Sequence, residues 1–165
     1  MNDNNQYVRR IRCAANIGLY GSLVMLAAVI LEHYLAQNVW IHEITANEYT
    51  HHMFTSVGLV LAVIDIAMLL FTHRRQTRRL RQMDSIEEKL KNYASLISTN
   101  YYFTLVVAFI VSAIIVIVQE NTLIMLLMLL VVALMLNYPN MYKMKADLGL
   151  NDNEMKQLFG EKYIK

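Results

Sequence analysis

The sequence predicts an all-α fold: a four-transmembrane-helix bundle of two hairpins, with a helical cytoplasmic stalk between spans two and three. Three observations predict it. The apolar residues, 56% of the 165, gather in long runs, and the mean hydropathy is +0.34. All fifteen Lys and Arg fall in three clusters that these runs separate. One proline and five glycines leave few helix breakers.

Spans one and two form the first hairpin. Span one is expected at about 15–35, with Ile17 to Leu31 as its apolar centre. A bilayer core takes roughly 20 apolar residues as helix, and this run meets that length. It is read as retained: the stretch is long for a signal peptide and no small-residue cleavage site follows it. Span two, about 53–72, is apolar apart from Thr55, Ser56 and Asp65.

Spans three (about 101–118) and four (about 122–138) are shorter, at the lower edge of the spanning range. Gln119, Glu120 and Asn121 divide them and predict a tight hairpin at the membrane surface, because one unbroken helix through both would overrun a bilayer. The chain therefore reads as a single membrane domain, 1–165, with residues 139–165 as an amphipathic cytoplasmic tail.

Charge sets the orientation. Arg9, Arg10 and Arg12 precede span one; residues 74–91 hold seven basic residues; five lysines follow span four. The opposite loops, 36–52 and 119–121, have none. The positive-inside rule puts both termini and the central loop in the cytoplasm of a bacterial inner membrane. Tyr34, Trp40 and Phe54 suit the outer interface, and Phe71, Tyr101, Tyr102 and Tyr138 the inner one.

The central loop holds no Gly or Pro, and helix two is expected to continue past Thr72 through the basic stretch. Ser85 followed by Glu88 fits a capping box, and Ile86, Leu90, Tyr93 and Ile97 then follow helical spacing. Helix three is expected to start near 86 and run to about 118, with Leu80 and Met83 packing on Ile86 and Leu90. After span four, Pro139 stops the helix, Met141 to Leu148 form a short one that Gly149 ends, and Asn151 to Glu154 cap another. This tail is expected against the membrane surface or the stalk.

The segment from Glu88 to Phe103, with Leu136-Asn-Tyr-Pro139 and Lys145 to Glu154, resembles a family of small uncharacterised four-helix integral membrane proteins of Bacteroides-like bacteria. The likeness covers roughly 85–159. The family pattern often has an Arg and then Glu-Gly-Pro where this chain has Ser98-Thr-Asn100. The resemblance implies the four-helix topology and no activity, substrate or cofactor. The two hairpins also read as a possible tandem repeat, with Asn16 and Asn100 at like places.

Asp65 is the outlier. An ionisable group that deep costs roughly 2.5–3.5 kcal/mol on insertion scales. It is either a proton or ion site, or a structural hydrogen bond to Asn16 or Ser112. The structural reading is the expected one.

No catalytic residue, cofactor or metal site is expected. Cys13 stands alone, and no phosphate loop, nucleophile elbow or Cys/His pair occurs. His42, Glu43, Glu48, His51 and His52 are of zinc-ligand type but match no ligand spacing, so a solvated outer loop is the expected reading. The run from His73 to Arg81 is read as a contact for lipid headgroups and a determinant of topology, not a nucleic-acid site.

The expected function is non-enzymatic: an interaction or assembly component of the membrane, with 73–100 and 139–165 as the partner surface. The alternative is a small homo-oligomeric transporter or ion/proton pathway through Asp65. Small multidrug exporters also have four spans, but they place a Glu in the first helix, and here no acid precedes Glu32 in that run.

Overall fold

The computed structural model describes residues 3–35 and 48–160. Among these the secondary structure is helical: α1 (Asp3–Leu35), α2 (Glu48–Arg81), α3 (Ile86–Val118), α4 (Asn121–Leu136), α5 (Met141–Leu148) and α6 (Asp152–Phe159). Three of them hold segments long and apolar enough to cross a membrane, Asn4–His33, Glu48–Arg81 and Ile86–Val118. The fourth apolar helix, α4, has 16 residues and is followed by α5 at a bend of 77°. At about 1.5 Å per residue it is some 24 Å long.

The hub is α3, which packs on α1 and α2; α4 touches all three. The α1 seam is Val8, Ile11, Ala15, Gly18, Ser22 and Val29, a three-and-four spacing that keeps one face on α3. Small residues let the backbones close up. A Cβ built at Gly18 would lie 2.8 Å from Tyr101 Cβ and 2.9 Å from the Tyr101 carbonyl oxygen.

Away from the seams the apolar side chains point outward: Tyr20 and Val24 on α1, Val60 and Val63 on α2, Val106 and Phe109 on α3, Leu129 and Val132 on α4. A protein in water rarely exposes so broad an apolar surface. Lipid suits it.

The structure refines several expectations. The expected span one lies within α1, whose helix begins at Asp3, so the three arginines ride on a helix that lies along α3. Tyr101 faces the protein interior rather than outward. It is buried, and its hydroxyl donates to the Leu134 carbonyl at 2.9 Å. Ser85 takes the extended cap conformation, but its side chain makes no cap hydrogen bond. It is exposed at a turn, where water reaches the same amides. Ser85→Ala therefore costs less than the roughly 1 kcal/mol of a bonded cap.

Other local signals hold. Helix three starts at Ile86, and Leu80 and Leu90 join one core with Met83 and Ile86 packed against it. Gly149, at φ +62°, ends α5 in the left-handed region that glycine enters without strain. Asn151 and Glu154 form the reciprocal capping box, at 2.8 and 2.6 Å. The tail lies against the stalk: α5 contacts α2 and α3. Trp40, His42 and Glu43 lie outside the described residues, as do Ala46 and Lys165.

Candidate functional site

The α2 seam runs Gly58, Ala62, Asp65, Leu69, His73, Thr77 and Leu80, all buried. Helical spacing thus carries a carboxylate into the apolar contact with α3. Asp65 is 2% exposed. Thr104 Oγ1 donates to its Oδ1 at 3.2 Å, and its Oδ2 has no hydrogen-bond partner among the described residues. A buried carboxylate ordinarily has its oxygens served, and leaving one bare costs about 1–3 kcal/mol or more.

Asp65 borders a cavity of about 70 Å³, shared with Thr99, Asn100 and Thr104. Met68, Thr99 and Asn100 also line a second cavity of about 350 Å³, which continues past Gln76 and Ser95 to Arg79 and Asn92. The two adjoin along the α2–α3 contact, and the larger lies on the side of the basic residues. On the far side of Asp65 the seam is filled by Ala62, Val107, Ala108, Val111 and Leu123. The cleft is therefore one-sided. Its oxygen donors suit a proton, water or a hard cation.

The structure separates the three residues expected together. Asn16 Oδ1 accepts from the Tyr138 hydroxyl at 2.6 Å. Ser112 is buried with its hydroxyl unbonded among the described residues, two turns beyond Thr104. Thr104 supplies the bond instead. No spacing in the sequence pairs it with Asp65: by the expected spans Thr104 lies three residues from the inner end of span three, and Asp65 seven from that of span two.

Sequence reasoning also missed a buried polar cluster at the basic end. His73 Nε2 lies 3.0 Å from Asp147 Oδ2, and the Tyr93 hydroxyl donates to the same oxygen at 2.9 Å. Burial alone pushes the Asp147 carboxyl up. The His73 hydrogen bond and charge, the Tyr93 hydroxyl and nearby Lys143 outweigh burial and hold it below the usual carboxylate range. His, Asp and Tyr are acid–base residue types. Here all three are buried and His73 Nε2 and the Tyr93 hydroxyl share one oxygen of Asp147, so the cluster ties α5 to α2 and α3.

At the opposite end, His51 Nε2 is 3.2 Å from the Val118 carbonyl oxygen and 3.8 Å from Glu120. That fastens the start of α2 to the α3–α4 turn. Among the described residues no three His, Cys, Asp or Glu side chains gather as a metal site. No protein-family model, curated protein or solved structure matches the chain.

Proposed function

We propose that this is a four-span protein of a bacterial inner membrane, with both ends in the cytoplasm and no enzymatic role. Asp65 takes up a proton or small cation from the cytoplasm through the α2–α3 cleft. The observation that carries this is the unpartnered Oδ2 of Asp65 beside a polar cavity. A structural aspartate ordinarily has both oxygens bonded. Among the described residues the α2–α3 seam beyond Asp65 is filled, which favours passage at a contact between copies in a homo-oligomer.

Two observations support the four-span topology. The Tyr101–Leu134 bond sets α4 beside the Tyr101–Val118 half of α3, at the same depth. All fifteen basic residues then share one side. A reporter at residue 165 or near Gln82 is expected to read as cytoplasmic, and one near Ala46 as periplasmic. A periplasmic signal from the C-terminus ends this topology.

The functional test is flux in reconstituted vesicles. Wild type is expected to move protons or alkali cations down a gradient, and Asp65→Asn to abolish the movement while elution and helix content stay unchanged. Equal flux in both proteins, or none in either, returns Asp65 to a structural role.

A second reading is favoured by the cytoplasmic ends of α2 and α3 with α5 and α6. They pack together around a buried polar tie, and the described residues of 73–100 and 139–160 support a partner surface over the expected 73–100 and 139–165. Stoichiometric co-purification of another protein from native membranes, lost on removing 139–165, favours that interaction role.

A further inference from the structure

The arginines of α1 face a groove that the Asp65 reading does not use. It is about 580 Å³ and lies between the first turns of α1 and the tail. Arg9, Arg12 and Asn16 line it on one side, and Met141, Leu158 and Phe159 on the other. The Arg12 guanidinium lies 5.6 Å from the centre of the Phe159 ring. A cation over a ring face still has its guanidinium N–H groups to donate. Among the described residues no acid lines the groove, and neither Arg9 nor Arg12 has a carboxylate within ion-pair distance.

The same face of α1 continues from Asn16 to Tyr20 and Val24, both more than 60% exposed and part of the apolar outer surface. A paired-arginine groove thus opens directly onto an apolar helix face. One ligand chemistry fits both halves: a phosphate that accepts from the arginine edges, joined to hydrocarbon chains that follow Tyr20 and Val24. Free phosphate would use only the first half.

We propose that this groove binds the phosphate headgroup of an anionic phospholipid from the leaflet at the basic end. The inference is independent of Asp65.

Native mass spectrometry of the full chain, released from mixed phosphatidylglycerol and phosphatidylcholine vesicles, tests it. Wild type is expected to retain one phosphatidylglycerol with a preference of about 30-fold, from roughly fivefold per arginine. The double variant Arg9→Gln/Arg12→Gln is expected to lose that preference. Arg74→Gln/Arg78→Gln, which changes exposed arginines outside the groove, is expected to keep it. Arg12→Lys keeps the charge without the guanidinium fork, and is expected to fall between wild type and the double variant, which guards against misfolding of the latter. Equal loss in the two double variants overturns the proposal in favour of diffuse electrostatics. Displacement of the lipid by excess inorganic phosphate overturns the lipid assignment in favour of a free-phosphate site. Retention unchanged in every variant overturns it altogether.

Discussion

Asp147→Ala is expected to release the tail from the stalk. The substitution strands the His73 ring nitrogen and the Tyr93 hydroxyl, both of which rest on one carboxylate oxygen. Each buried polar group left without its partner costs about 1–3 kcal/mol, and here one substitution strands two, against about 1 kcal/mol for the net worth of an ordinary hydrogen bond. Few other bonds offset that loss, since α5 has only eight residues. Amide exchange across 141–159 is expected to rise sharply, while 101–118 stays protected. Unchanged protection of the tail would show that Met144, Leu148 and Leu150 hold it alone.

The pH dependence has a definite sign. The folded Asp147 carboxyl titrates below its unfolded value of about 3.9. Its contribution is therefore fully present above about pH 4 and is lost as pH falls through the lower, folded value. Asp147→Asn is expected to remove this acid-dependent step from the tail's protection.

Gly18→Val is expected to separate α1 from α3. The obstruction is Tyr101 Cβ and a backbone oxygen, neither of which can swing aside. Helix propensity favours replacing glycine, by at most about 1 kcal/mol. Overpacking costs about 1–3 kcal/mol for each extra group that does not fit, and valine brings several. The clash wins. Because Tyr101 also donates to Leu134, its displacement loosens α4 as well. Gly21→Ala makes a useful contrast. Its Cβ would meet the end of the Leu105 side chain, which can turn away. In detergent, Gly18→Val is expected to lose cooperative unfolding and Gly21→Ala to keep most of it. A cooperative Gly18→Val transition within about 1 kcal/mol of wild type would contradict the close packing.

What the sequence made legible was local. Hydropathy located the long helices, the break before Ile86 set the start of α3, and Gly149 and Asn151 punctuated the tail. The early start of α1 was also legible in principle. Val8, Ile11 and Ala15 keep helical spacing, but the arginines between them interrupt the apolar run that hydropathy follows. Asp65 stood out because charge is rare at that depth. Its partner did not, because which hydroxyl it meets depends on the rotation of α2 against α3, and no local pattern encodes that. His73 and Asp147 are 74 positions apart, beyond any spacing rule. His73 was read only as part of a basic run that meets lipid. Ser85 shows the converse: the motif was present, yet an exposed turn left its side chain unbonded.

The separation of His73 and Asp147 also bears on biogenesis in the four-span arrangement. In that proposed arrangement the chain between the two residues would cross the bilayer outward and return, so their hydrogen bond ties together the two ends of a segment that holds the whole second hairpin. A translocation error that leaves α4 short of the far leaflet, or its end on the wrong side, keeps Asp147 from reaching His73. By that proposed topology the bond would wait on insertion of the second hairpin, and a chain in which insertion failed would keep an unpaired His73 and a loose tail.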